Sequence, residues 1–277
     1  MKRRVLLSLL LCLPAVMAWA GPPGKTAFRI GVAPHSSARV ILQMYQPLRS
    51  YLEDVLQQPV QVVTASDFTE FARRGLKGEY DLAITTGHQA RLFESDAAYL
   101  PMLTYRADFK AVLVVAQGSV YRVPADLAGS TVMGLSPSSL VTIWGSHWLH
   151  RNNVPNVDLR YVSASDSAVH LVTNGEASAA MVSLANYQNL KPEIRERLRV
   201  LDESLPLAGR VYMLAPRHKA LRDRLLKALW AFAETPEAKA YFAQYKLQGY
   251  RPLGASELLE MAPYANEVRM ALKRGDN

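Results

Sequence analysis

The sequence predicts an α/β protein of two lobes, each a mostly parallel sheet flanked by helices, joined by a two-segment hinge. From residue 28 onward, short apolar runs alternate with amphipathic helical stretches, a pattern typical of parallel strands connected by helices. This alternation begins a second time after Gly118. About 255 residues follow the first twenty, which is more than a single hydrophobic core usually serves.

The first twenty residues have the order of a secretory signal. Basic residues at positions 2–4 precede an apolar run at 5–16, and residues 18–20 (AWA) provide a small-x-small cleavage site. We therefore predict a signal peptide at residues 1–20, cleavage after Ala20 and a periplasmic location. The alternative is a retained anchor, but the run is shorter than the roughly 20 residues of a transmembrane helix, and Pro14 interrupts it.

Composition narrows the possible functions of the mature chain. The single cysteine, Cys12, lies inside the signal, so cleavage would leave no thiol for a disulfide, a metal site or a nucleophile. Cleavage would also leave 29 basic against 24 acidic residues, a net charge of +5. The basic residues are interleaved with acids, which argues against a nucleic-acid partner, although a mildly positive field would help to attract anions.

The first lobe is predicted at residues 21–116 and opens as β-α-β-α-β. An apolar helix face between residues 40 and 55 follows the first strand, and Asp67 with Glu70 resembles a capping box that starts a second helix. The predicted strands are residues 28–32, 60–63, 81–85, 99–105 and 110–115.

The second lobe is predicted at residues 117–210, and residues 211–277 return to the first lobe. Its strands are predicted at 131–135, 158–162, 179–182 and 198–201, with helices from Ser138 or Ser139 to Arg151 and at 165–174. The returning segment is predicted to contain a strand at 211–214 and helices at 221–234, 237–245, 256–261 and 263–273. Two chain crossings make a hinge, and a cleft between the lobes is where a ligand would bind.

Hydroxyl-rich segments follow four of the strands, at residues 34–37, 85–88, 136–139 and 163–166. Ligands of open parallel sheets bind outside the carboxyl ends of the strands. Helix N-termini there offer unpaired N–H groups and partial positive charge, which suit phosphate-like anions. The predicted ligand-binding residues are Ser36, Ser37, Phe68, Thr85, Thr86, His88, Ser138, Ser139, Ser165 and Asp166. For each loop taken alone, the alternative is a simple helix cap.

No catalytic, metal or cofactor site is predicted. The sequence lacks a GxSxG elbow, a Walker loop and a GxGxxG motif, and Asp166 and Glu176 are single acids without an evident partner. His147 and His150 have helical spacing but no accompanying carboxylate. His35 and His88 follow strands, where an imidazole could donate to an anion or titrate; exposed loop histidines are the alternative. Trp144, Trp148 and Trp230 are predicted in the core.

Short motifs in a fixed order give the chain a resemblance to a known family. They are FRIGVAP (28–34), PLRSYL (47–52), ASDF (65–68), GEYDLA (78–83), DLAG (126–129), NGEASAA (174–180) and TPEA (235–238). With these motifs the chain resembles the phosphate, phosphite and phosphonate-binding family of ABC-transporter periplasmic proteins. The resemblance implies a type II periplasmic-binding fold and non-enzymatic capture of a tetrahedral oxyanion, followed by delivery to a membrane permease.

The resemblance also gives expectations for individual residues. Ser138 and Ser139 match the Ser/Thr pair that holds the anion. Phe68 and Thr85 stand where the family often has tyrosine, and Ser165 replaces a common histidine. Asp166 keeps an acidic position, whereas Ser178 replaces a second one.

These departures predict a compact oxyanion, or one with a neutral substituent, over an aminoalkyl phosphonate. The sequence leaves two partners open: the permease of an importer, or a sensor histidine kinase that recognises the liganded form. A monomer is expected in either case.

Overall fold

The computed structural model describes residues 26–275, so the predicted signal peptide and its cleavage site lie outside the described residues. The strands are β1 Phe28–Val32, β2 Val60–Val63, β3 Leu82–Thr86, β4 Leu100–Tyr105, β5 Ala111–Ala116, β6 Thr131–Gly134, β7 Asp158–Tyr161, β8 Ala179–Ser183, β9 Leu198–Glu203, β10 Arg210–Leu214 and β11 Tyr250–Arg251. The helices are α1 Ala38–Leu56, α2 Phe68–Leu76, α3 Gly87–Ala97, α4 Leu140–Arg151, α5 Ser165–Thr173, α6 Leu184–Gln188, α7 Pro192–Arg195, α8 Arg222–Ala233, α9 Pro236–Gln244, α10 Glu257–Glu260 and α11 Ala262–Gly275. Within this range, no helix has the length and apolar character needed to cross a membrane.

Two mixed sheets form the two lobes. The first has the strand order β11-β4-β10-β3-β1-β2, and the second has the order β7-β6-β8-β5-β9. Parallel pairing is limited to β1 with β2 and β3, and to β6 with β7 and β8, which are the strands joined through helices. The two-lobed α/β class is confirmed. The sheets are mixed because β5 and β10 enter directly from the hinge and pair antiparallel to their neighbours.

The first hinge crossing lies earlier in the chain than predicted. The strand expected at 110–115 was assigned to the first lobe, with a boundary near Gln117, but β5 pairs with β8 and β9 in the second sheet. The chain therefore crosses at residues 106–110 and returns at 204–209, and the two segments meet in a bridge between Phe109 and Leu207. An apolar run suits either sheet, so the local sequence could not assign β5.

The packing of α1 and α4 against the two sheets positions the residues at the edges of the cleft. The apolar positions of α1 at three-to-four spacing are buried against the first sheet. Trp144 and Trp148 of α4 are buried as predicted, whereas Trp230 is half-buried. Gly145 allows α4 to approach β8, because a Cβ there would lie 2.2 Å from the Met181 sulfur. This close approach holds the start of α4 at the edge of the second sheet.

Candidate ligand-binding site

A small cavity of about 30 Å³ lies between the lobes, which is room for about one or two water molecules. Its walls come from the carboxyl ends of β1, β3, β6 and β8, from the starts of α2, α4, α5 and β10, from α6, and from the hinge. The lining residues are Ala33, His35, Phe68, Ile84, Thr86, Phe109, Leu135, Ser139, Leu140, Val141, Ser165, Ser183, Asn186 and Arg210.

Hydrogen bonds join the two lobes around this cavity. The hydroxyls of Thr69 and Ser138 lie 2.7 Å apart, and His88 Nε2 lies 2.9 Å from the Ser138 carbonyl oxygen. On the other side, Asn186 Nδ2 donates to the His35 carbonyl oxygen at 2.9 Å. The molecule is therefore in a closed conformation.

Two helix starts of the second lobe reach the cavity with buried hydroxyls. Ser139 caps α4: its Oγ accepts from the Thr142 amide at 3.3 Å and donates to Thr142 Oγ1 at 2.8 Å. Ser165 is the first residue of α5, and its Oγ accepts from Asn186 Nδ2 at 2.7 Å. The early amides of a helix have no intrahelical acceptor, so both helix ends favour a negatively charged ligand.

The first lobe contributes a threonine and a histidine. Thr86 occupies the N-cap position of α3 without a side-chain capping bond, and its hydroxyl lies 3.1 Å from Nδ1 of the buried His88. His35 Nδ1 donates to the Ala33 carbonyl oxygen at 2.8 Å, which leaves Nε2 as an acceptor in the neutral ring. Burial, and then the positive charge of Arg210, lower the pKa of His35 well below 6.5, so this imidazole is neutral at physiological pH.

Arg210 is the basic residue of the cavity. It begins β10 opposite Thr86, and its Nη1 lies 3.9 Å from the Met44 sulfur of α1. No carboxylate of residues 26–275 forms an ion pair with it. Burial raises the pKa of the nearby Tyr105 and Tyr241 well above 10, so these hydroxyls are neutral and supply no counter-charge.

Four of the predicted site residues line the cavity: Phe68, Thr86, Ser139 and Ser165. Their contact with a ligand stays a prediction. Three more, Thr85, His88 and Ser138, are buried behind or between the walls, where Thr85 Oγ1 donates to Gln89 Oε1 at 3.1 Å. These three connect structural elements and do not line the cavity.

The remaining predicted residues lie outside the cavity. Ser37 caps α1 through the Val40 amide at 3.4 Å, Ser36 is half-buried beside it, and Asp166 is exposed. Ser178 precedes β8 at the end away from the cavity and bonds the Tyr121 hydroxyl at 2.7 Å. The expectation that Ser178 replaces an acid in the ligand pocket is therefore not supported by its position.

Sequence reasoning did not select Ser183, Asn186, Phe109 and Arg210 as site residues. Ser183 follows the apolar strand β8, so the same strand-end rule could have found it. His147 lies on the surface, 3.2 Å from Glu267, and His150 is exposed. The described residues contain no group of three or more side chains placed to hold a metal ion.

The family model for "ABC transporter, phosphonate, periplasmic substrate-binding protein" matches residues 30–258. A comparison with curated proteins found no match. Among solved structures, PhnD1 from Prochlorococcus marinus in complex with methylphosphonate superposes with a TM-score of 0.77 at 12% identity, covering 88% of this chain and 98% of that one.

Two other solved structures have the same fold. A binding protein of an ABC phosphonate transporter from Pseudomonas aeruginosa gives a TM-score of 0.75 at 15% identity, covering 90% of this chain and 94% of that one. A Xanthomonas citri protein bound to ATP gives 0.72 at 18% identity, covering 89% and 99%. The fold is that of type II periplasmic binding proteins, and the chain belongs to the phosphonate-binding family of ABC-transporter periplasmic substrate-binding proteins.

Proposed function

We propose that this chain captures a small tetrahedral oxyanion, of the phosphonate, phosphite or phosphate class, and presents it to the permease of an importer. The observation that carries the proposal is the meeting of two helix starts at one cavity between the lobes. Ser139 of α4 and Ser165 of α5 both line it, with Thr86 opposite. Hydroxyls and unpaired helix amides together suit a tetrahedral anion.

The apolar part of the cavity limits the substituent on the anion. The apolar lining without hydrogen-bonding side chains comes from both lobes: Phe68 and Ile84 from the first, and Leu135, Leu140 and Val141 from the second. Such a lining can accept a methyl group, and PhnD1 from Prochlorococcus marinus was solved with methylphosphonate. None of the described lining residues is acidic, so an ammonium substituent would lack a partner.

Binding requires movement of the lobes. The cavity has a volume of only about 30 Å³, and the Thr69–Ser138 and His88–Ser138 hydrogen bonds join the lobes, so a ligand enters when these contacts open. The ligand then stabilises the closed form by its greater affinity for it. We propose that the chain is exported, cleaved after Ala20, and works as a monomer.

Calorimetry of wild-type protein, purified under denaturing conditions and refolded to remove retained ligand, tests the proposal. Methylphosphonate, phosphite and phosphate are titrated separately, with small-angle scattering before and after saturation. We expect one-to-one binding of at least one of these anions and a smaller radius of gyration in its presence. If all three give no binding to folded protein, the proposed ligand class is wrong.

A further inference from the structure

We infer that Arg210 is the charge receptor of this site: its guanidinium pairs with the bound anion and restricts the ligand to anions without a cationic substituent. The inference rests on the proposed function. It adds a fixed positive charge to a site otherwise made of neutral hydroxyls and amides.

The position of Arg210 places it in contact with both the cavity and the hinge. It begins β10, immediately after the returning crossing at residues 204–209, and lies in register with Thr86. It lines the ligand cavity with Ser139 and Ser183, and a second cavity of about 40 Å³ with Phe109. A guanidinium here can contact a ligand enclosed by both lobes.

The missing counter-charge distinguishes Arg210 from the paired arginines of the described chain. Arg74 pairs with Glu79 at 2.8 Å, and Arg269 pairs with Asp96 at 2.7 Å. Residues 26–275 offer Arg210 no such carboxylate. A guanidinium stays protonated in proteins, so the charge cannot be removed by titration.

The side chains that interact most directly with Arg210 are uncharged tyrosines and Met44. Asp108, Lys110 and Lys246 line the second cavity with Arg210, but Asp108 forms no ion pair with it among the described residues. Tyr105 bonds the hydroxyls of Tyr212 and Tyr241 at 2.6 and 2.5 Å, so these hydroxyls are hydrogen-bonded to one another. The buried Tyr45 hydroxyl lies beside Arg210. Burial by itself would lower the pKa of the guanidinium, but Tyr45 and the other nearby tyrosines raise it. Withdrawing a charge from water without a counter-ion is unfavourable, and an incoming anion supplies the missing one.

The same charge excludes a class of ligands. An aminoalkyl group would bring an ammonium into a cavity that already contains a guanidinium and has no acidic lining residue. His35 presents a neutral ring, so it adds no second fixed cation. One cation and no acid therefore favour an anion whose substituent is uncharged.

A purely structural arginine would behave differently from a charge receptor. Removing a structural arginine lowers the stability of the empty protein. Removing a half-buried charge that lacks a counter-ion leaves that stability nearly unchanged or raises it, because the remaining desolvation penalty of the guanidinium disappears. Affinity and ligand-free stability therefore separate the two roles.

The experiment compares wild type, Arg210→Met, Arg210→Lys and the control Arg222→Met, which removes an exposed charge at the start of α8. Methylphosphonate affinity is measured by calorimetry, and the melting temperature is measured without ligand. We expect Arg210→Met to lose at least a hundredfold in affinity, about 2.8 kcal/mol, with an unchanged or higher melting temperature. Arg210→Lys should lose about tenfold, because it keeps the charge but not the two-pronged geometry, and Arg222→Met should match wild type.

Each other result contradicts the inference. If Arg210→Met binds within threefold of wild type, Arg210 is not the receptor, although the proposed function stands. If its affinity and its ligand-free melting temperature both fall, the role is structural. If wild type binds no anion, the proposed function fails, and the inference fails with it.

Discussion

The two sides of the cleft differ in how their polar groups are paired before an anion binds. On the second-lobe wall, Ser139 Oγ donates to Thr142 Oγ1 and Ser165 Oγ accepts from Asn186 Nδ2, so each hydroxyl has a partner without ligand and the Ser165 O–H remains available to donate. On the first-lobe wall, Arg210 has no counter-ion among the described residues. The second-lobe side, here called the neutral wall, therefore orients a ligand without much lowering the stability of the empty protein. The first-lobe side with Arg210, here called the charged wall, contributes most of the favourable interaction energy when an anion binds.

The largest expected effect compares ligands of equal length that differ in charge. Aminoethylphosphonate should bind more weakly than propylphosphonate by about 3 kcal/mol, because its ammonium would be buried unpaired near Arg210. Competition calorimetry on wild-type protein measures the difference. Binding of the amine-bearing ligand at least tenfold tighter, about 1.4 kcal/mol, would show that an acid reaches the cavity.

The neutral wall is tested by Ser139→Ala. Loss of a hydrogen bond to a charged ligand should weaken methylphosphonate binding by about 1.5 to 3 kcal/mol. Loss of the α4 cap should also lower the free energy of unfolding by about 1 kcal/mol. Ser167→Ala, at an exposed position of α5, is the matched control. An unchanged affinity in folded Ser139→Ala would show that the Ser139 hydroxyl does not bind the anion.

His88 and Arg210 show two outcomes for a basic side chain enclosed in this protein. Burial lowers the pKa of His88 from 6.5 to about 4, so this ring becomes neutral, which a guanidinium cannot do. The unfolded chain binds the additional proton first as the pH falls. The stability contributed by neutral His88 is therefore present above about pH 6.5 and is lost as the pH falls toward 4.

Chemical denaturation at pH 7 and pH 5 measures this effect. His88 should account for a loss of about 2 kcal/mol in the free energy of unfolding between these two values. His88→Gln should remove that part of the pH dependence, whereas His150→Gln, on the exposed end of α4, should not. Equal pH dependence in wild type and His88→Gln would contradict the assignment.

The smallest effect concerns contact between the walls. Thr69→Val removes the 2.7 Å hydrogen bond to Ser138 without changing a cavity-lining residue. We expect an affinity loss of about 0.5 to 1.5 kcal/mol and a more open ligand-free form in small-angle scattering. Thr173→Val, on the exposed end of α5, should affect neither quantity. A Thr69→Val protein that closes and binds like wild type would show that this bond does not stabilise closure.

The sequence predicted the neutral wall better than the charged wall. Ser139 and Ser165 follow strands and start helices, which are local features that a single segment reveals. Arg210 is one of many basic residues, and its lack of a carboxylate partner depends on which acids the folded chain places nearby. Asp166 shows the converse: the sequence marked it as a site residue, but its position on α5 leaves it exposed.

The same limit applies to the fold. Strand and helix positions follow from local periodicity, so β1 and α1 were predicted within a few residues. The sheet that receives β5 depends on its antiparallel pairing with β8, more than sixty residues away along the chain. Pairing between strands so far apart in the chain has no signature in the local sequence. This is why the sequence predicts the first hinge crossing later in the chain than the structure has it.

The most direct test of the account is a crystal structure of the wild-type protein with methylphosphonate. We predict that the phosphonate group lies between the two walls, with its oxygens within hydrogen-bonding distance of the Ser139 and Ser165 hydroxyls and the Arg210 guanidinium. The methyl group should face Phe68 and Leu140. A phosphonate bound outside this cavity, or one whose methyl group faces Arg210, would contradict the central claim that the two walls together hold the anion.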